Sequence, residues 1–162
     1  MTEIRDALET DYGSILKLND AEVQQTSPMD LDRLRLIVGM SCYHKVATVH
    51  DQVAAFIIAL REGAAYDSEN YAWFASRFPS FLYVDRIVVG ESFSGKQVGS
   101  SLYNDLFTFA RVNGVAVITC EYNLVPPNLA SQAFHEKFGF QEIDTQWVAS
   151  GMKQVSLQVA EL

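Results

Sequence analysis

The feature that most constrains this chain is the stretch 81–114, where an apolar run meets a glycine-containing loop and then an amphipathic segment. Phe81 to Val89 is rich in β-branched and aromatic residues, which predicts a strand over 81–89. A loop follows over 90–95, and Val98, Leu102, Leu106 and Phe109 then recur at helical spacing, predicting a helix that begins near Lys96. The first turn of a helix leaves several backbone N–H groups without an intrahelical acceptor, and the aligned peptide dipoles add partial positive charge there. A phosphate suits such an end. Gly95 and Gly99 let a bulky anion approach the main chain, and Lys96 adds a point charge. For a glycine pair alone, a solvated loop before an ordinary helix is the plainer reading.

Two anion-binding patterns can be tested on these residues. Gly90-Glu91-Ser92-Phe93-Ser94-Gly95-Lys96-Gln97 comes within one residue of the nucleotide-binding P-loop, G-x-x-x-x-G-K-[S/T], and residues 115–121 offer an apolar strand ending in a carboxylate. The last position fails, because Gln97 stands where a hydroxyl must ligate magnesium, a hard cation that prefers hydroxyl, carboxylate and water oxygens. The second pattern is R/Q-x-x-G-x-G/A, against which Ser94-Gly95-Lys96-Gln97-Val98-Gly99 keeps the final glycine and replaces the first two fixed positions by Ser94 and Gln97. Further on, Asn128-Leu129-Ala130-Ser131-Gln132-Ala133-Phe134-His135-Glu136-Lys137-Phe138-Gly139-Phe140 matches N-x-x-S/A-x-x-F-Y/H-x-x-x-G-F. With that second, more specific run, the chain resembles the GNAT superfamily of N-acetyltransferases over most of residues 1–160.

A chain of 162 residues, with 49% hydrophobic and 12% aromatic content, suits a single domain, 1–162, with its own core. No apolar run reaches the roughly 18–20 residues that span a bilayer, and Met1-Thr2-Glu3-Ile4-Arg5-Asp6 lacks a signal-peptide layout, so the expectation is a cytoplasmic protein without a membrane partner. A net charge of −8, with 12 basic residues spread thinly, argues against a nucleic-acid partner. Cys42 and Cys120 lack C-x-x-C spacing and read as buried thiols, and the three histidines have no ligand spacing, so no metal site is expected.

Periodicity predicts a strand over 4–8, helices over 11–23 and 30–42, and strands over 44–50 and 53–61 joined as a hairpin at Asp51-Gln52. Residues 62–78 read as irregular and aromatic, with one helical turn. Beyond the central strand and helix, strands are predicted over 115–121, 140–147 and 153–159, with a helix over 128–138 closed by Gly139. The order β-α-α-β-β-β-α-β-α-β-β predicts an α/β (α+β) fold, a mixed, mostly antiparallel central sheet with helices on both faces. It is also the order of the GNAT fold.

The resemblance implies direct attack of a primary amine, on a small molecule or peptide, upon the thioester of acetyl-CoA, without a metal. It places Asp85 as general base, with Glu22 and Glu121 as rival carboxylates, and His135 as the acid that protonates the leaving thiolate. Asp85 and Arg86 interrupt an apolar strand, so pairing to a neighbouring cation is the plain alternative for Asp85, and a hydrogen-bonded helix residue that for His135. The cofactor set carried over by position is Val88, Val89, Gly95, Lys96, Val98, Gly99, Ser100 and Asn128, the last also an apt helix N-cap, with backbone N–H near Val89 as oxyanion donor. Tyr71, Trp73, Phe74 and Arg77 form the acceptor side, residues 19–25 with Glu22 the facing wall, and Glu121 a further acceptor contact. Packing onto the core is the plainer role for at least one of Trp73 and Phe74. Family habit favours a homodimer. The alternatives are a catalytically silent acyl-CoA-binding module and a P-loop protein.

Overall fold

A computed structural model describes all 162 residues. Seven strands, β1 (Thr2–Asp6), β2 (Tyr43–Val49), β3 (Gln52–Arg61), β4 (Leu82–Val89), β5 (Val117–Val125), β6 (Gln141–Val148) and β7 (Lys153–Glu161), form one sheet in the order β1-β2-β3-β4-β5-β7-β6. Among the pairings described, only β4 with β5 is parallel, at Leu82↔Ile118 and Tyr83↔Thr119. Five α-helices complete a mixed α/β fold: α1 (Tyr12–Ala21), α2 (Leu31–Met40), α3 (Glu69–Ala75), α4 (Val98–Val112) and α5 (Leu129–Lys137). No helix is long and apolar enough to cross a membrane.

The chain divides into two compact units, each discontinuous in sequence: Met1–Leu60 with Val84–Phe109, and Arg61–Tyr83 with Ala110–Leu162. In the first, β3 reads Ala54-Ala55-Phe56-Ile57-Ile58-Ala59-Leu60, an unbroken apolar run whose seven residues are all buried, as a strand covered on both faces requires. Ile15 of α1 and Leu34 and Ile37 of α2 are also fully buried, while Leu31, the first residue of α2, is exposed. Val98, Leu102 and Leu106 bury the predicted stripe of α4, and Tyr43 of β2 donates its hydroxyl to Asp105 of α4. In the second unit, β7 lies between β5 and β6 and is antiparallel to both, with Ser156 and Leu157 fully buried. β6 stands at the sheet edge, largely exposed.

Several boundaries differ from the sequence reading for identifiable reasons. The β2–β3 hairpin turns at His50-Asp51, one residue early, because Val49 pairs with Gln52 and both turn residues take left-handed φ of 50° and 62°. Residues 69–75 form two helical turns instead of one, started by Ser68, whose hydroxyl accepts from Tyr71 N at 3.2 Å. α4 begins at Val98, not near Lys96, since Gly95 and Gln97 have φ of 73° and 64°, which no right-handed helix accommodates. β5 continues past Glu121 to Val125: its polar residues Tyr122 and Asn123 are buried, and pairing with β7 persists. Cys42 is exposed rather than buried, Cys120 is buried, and neither forms a disulfide.

Candidate active site

Within the first unit, the loop after β4 is built around close approach and reversal. Gly90 N donates to Ala54 O at 2.8 Å, and a Cβ on Gly90 would lie 3.1 Å from Leu18 Cδ2 and 3.3 Å from Ala54 O, so the strand leaves the sheet at a point too tight for a side chain unless its neighbours shift. A 3₁₀ turn, Glu91–Phe93, follows, and Ser94 returns both its N–H (3.2 Å) and its hydroxyl (3.0 Å) to Glu91 O. Ser94, Gly95, Lys96 and Gln97 are all exposed, and the two left-handed residues swing the backbone into α4, where buried Val98 anchors the first turn. Ser101 donates its N–H and its hydroxyl, each at 3.0 Å, to Gln97 O. An exposed backbone reversal at a helix start, with the Lys96 ammonium in the reversal, fits the diphosphate of a coenzyme. Gly99 and Ser100 are partly exposed in the same first turn, and Val88 is buried beside partly exposed Val89 at the end of β4.

The carboxylate expected to act as base is committed elsewhere. Asp85 and Arg86 form an ion pair, Nε to Oδ2 at 2.8 Å, with side-chain exposures of only 4% and 5%. This is the pairing reading of the charges in β4, and a base must instead reach its substrate. Glu22 closes α1 as a partly exposed residue, and its carbonyl accepts from Gln25 N, Thr26 N and the Thr26 hydroxyl at 2.9–3.1 Å.

Within the second unit, Glu121 of β5 is partly exposed and accepts a 2.7 Å hydrogen bond from the hydroxyl of Tyr83, itself almost wholly buried. Tyr71 and Phe74 of α3 pack on the Tyr83 ring at 5.5 and 5.9 Å between centroids. The Tyr71 hydroxyl is used inside the protein: it donates to Arg61 O at 2.6 Å and accepts from Ala64 N at 3.0 Å. Tyr71 and Phe74 are therefore core residues that back Tyr83, the packing role weighed for Phe74 and, for Tyr71, a departure from the acceptor-side expectation. Trp73 is partly exposed and Arg77 exposed, the guanidinium 3.9 Å from the indole centroid, which leaves this pair at the surface, Trp73 on α3 and Arg77 just past its end. Thr119, two residues before Glu121, is fully buried with its hydroxyl unbonded.

His135 does not have the environment of an acid. Its Nδ1 lies 2.7 Å from Ser131 O, and since a carbonyl only accepts, that nitrogen carries the proton. The ring packs against Tyr122, Phe134 and Phe140 at centroid distances of 5.9, 5.3 and 5.1 Å. Burial lowers its pKa and the Ser131 carbonyl only partly offsets this, so the neutral ring is favoured. This is the helix-residue reading of His135. Asn128 caps α5, its Oδ1 accepting from Ser131 N at 3.1 Å.

Residues 2–140 match the model of the acetyltransferase (GNAT) family. This chain belongs to the GNAT family. No protein of curated function matches its sequence. In fold, this GNAT chain is similar to Ard1 from Thermoplasma volcanium (TM-score 0.80, 16% identity, covering 99% of this chain and 97% of that one). It is similar also to the ribosomal-protein-S18-alanine N-acetyltransferase from Escherichia coli (TM-score 0.75, 17% identity, 99% and 94% covered). A third similar structure is Arabidopsis thaliana Naa50 in complex with the bisubstrate analogue CoA-Ac-MVNAL (TM-score 0.76, 15% identity, 99% of each chain covered). The P-loop reading of Gly90 to Gln97 gives way to the family match, which runs across both compact units of this GNAT fold.

Two residues of consequence, Tyr83 and Arg86, carried little sequence signal. Tyr83 reads as one more strand aromatic, because its partner Glu121 lies 38 positions away. Arg86 was visible only as half of a charged interruption in an apolar strand.

Proposed function

We propose that this GNAT protein transfers the acetyl group of acetyl-CoA to a primary amine of a small molecule or peptide by direct attack, with Glu121 as the proton acceptor. The observation that carries this assignment is the partly exposed Glu121 carboxylate oriented by the Tyr83 hydroxyl, set against the Asp85 carboxylate buried on Arg86. In the reaction the amine nitrogen forms a bond to the acetyl carbonyl carbon, the carbon–sulfur bond breaks, coenzyme A leaves as thiolate, and the ammonium proton passes to Glu121. The loop residues Gly95, Lys96, Val98, Gly99 and Ser100 grip the coenzyme diphosphate, backbone at Val88 and Val89 faces the thioester, and Asn128 stays the cap of α5 with its remaining polar capacity toward the coenzyme. Trp73 and Arg77 meet the acceptor. That the similar Naa50 structure holds a coenzyme A bisubstrate analogue supports the choice of cofactor.

The test is thiol release from acetyl-CoA over a panel of primary amines and short peptides, with Glu121→Gln and Asp85→Asn compared to the parent. Glu121→Gln is expected to keep acetyl-CoA affinity and thermal midpoint while lowering kcat/KM about 100-fold. Asp85→Asn leaves a buried guanidinium without its counter-charge and is expected to lose about 3 kcal/mol of stability. A stable Asp85→Asn protein with kcat lowered about 100-fold, beside an active Glu121→Gln, would return the base to Asp85. The loop departs from the family pattern at Ser94 and Gln97, which favours a second reading, a silent acyl-CoA-binding module. Acetyl-CoA binding without thiol release to any amine would establish it.

A further inference from the structure

Arg86 has 7% of its surface exposed, and its guanidinium is engaged across β4, α1 and the α1–α2 connection. Nε donates to Asp85 Oδ2 at 2.8 Å, Nη1 donates to Asn19 Oδ1 at 3.1 Å and to Ser27 O at 3.2 Å, and Nη2 donates to Ser27 Oγ at 3.2 Å. Asn19, fully buried on α1, donates Nδ2 to the same Ser27 carbonyl at 2.9 Å. Two buried side chains from separate elements thus converge on one residue of the segment 22–30, which carries no helix or strand. Ser27 itself is exposed, so the bonds that hold this surface segment come from underneath it.

Burying a guanidinium is costly, and an apolar residue of similar volume commonly serves a core as well or better. What a planar fork of five donors adds is geometry: it addresses a carboxylate, an amide oxygen, a carbonyl and a hydroxyl in fixed directions, which the single ammonium of lysine does not reproduce. We infer that Arg86 is a positioning residue which, with Asn19, clamps Ser27 and so holds the 22–30 segment in one conformation for recognition of the acceptor, Asp85 serving as its counter-charge. The inference rests on the acetyltransferase reading, in which residues 19–25 form a wall of the acceptor side.

Arg86→Lys, Arg86→Met and Asn19→Ala, the last leaving the ion pair in place, test it by two readouts. Backbone hydrogen exchange comes first: amides 22–30 are expected to exchange about 10-fold faster in each variant, with α4 unchanged. Acceptor-dependent thiol release, with the best amine of the panel, is then expected to show acceptor KM raised about 10-fold, kcat within about threefold and acetyl-CoA affinity unmoved. Arg86→Lys keeps the charge and is nevertheless expected to behave as Arg86→Met. Should Arg86→Met fail to fold, the lysine and Asn19→Ala variants decide the matter. Unaltered exchange over 22–30 in a folded variant overturns the clamp, and faster exchange with unmoved acceptor KM overturns its part in recognition. If the parent releases thiol with no amine, the acetyltransferase reading falls, and the exchange comparison still decides whether Arg86 holds the segment.

Discussion

Gln97 holds φ at +64°, in the region where a Cβ collides with its own carbonyl, at a position where the GNAT fingerprint has glycine. The loop before α4 therefore takes at Gln97 a left-handed turn that glycine would ease. Gln97→Gly is expected to raise stability by about 1 kcal/mol, the relief of left-handed strain less the extra freedom of the unfolded chain, read as a higher denaturant midpoint at unchanged slope. A lowered midpoint would mean that the amide side chain earns its place through contacts. The residue scale is also where the sequence was least legible. Asp85 and His135 occupy positions that resemblance marks as catalytic, yet one is paired to its chain neighbour and the other packs among three aromatic rings. A one-dimensional pattern reports position along a strand or helix. It does not report which partner the fold brings up from 59 residues away, as it brings Ser27 to Arg86.

At the scale of elements the sequence said much more. Every predicted strand and helix exists, because period and caps are local properties that the chain carries in adjacent residues. The α5 helix is the clearest case: Asn128 caps its start and Gly139, at φ +84°, turns the chain just past its end, both as the sequence indicates. Asn128→Ala should cost about 1 kcal/mol if the side chain acts only as a cap. Calorimetry of the variant with and without acetyl-CoA checks this, and a loss that grows when the coenzyme is present shows a second role in binding. Boundaries were less legible than existence. The end of β5 was set too early because Tyr122 and Asn123 look like loop residues until Gln158, buried on the neighbouring β7, is seen to donate to the Tyr122 hydroxyl at 3.1 Å. The length of α3 was likewise hidden, since Ser68 is an unremarkable serine until it caps.

At the scale of the whole molecule, two histidines, His135 buried and His44 half-buried, couple folding to acidity. Burial holds His44 down to about 4 from an ordinary 6.5, against the raising influence of Asp11 and Asp6, and lowers His135 as well. Below pH 6.5 the unfolded chain takes up protons that the native state refuses, so stability is full above that value and declines as pH falls from 6.5 toward 4. Urea midpoints measured from pH 8 down to 4 are expected to stay level and then drop through this window, with His44→Leu flattening the drop; a level profile in the parent would overturn the assignment. The order of strands has a different kind of consequence, one of timing. β7 comes last along the chain but sits between β5 and β6, so both of those strands are synthesised before the partner that joins them exists. On a ribosome β5 and β6 cannot be bridged until β7 has been made, so the outer part of the sheet is completed only after its last strand is synthesised.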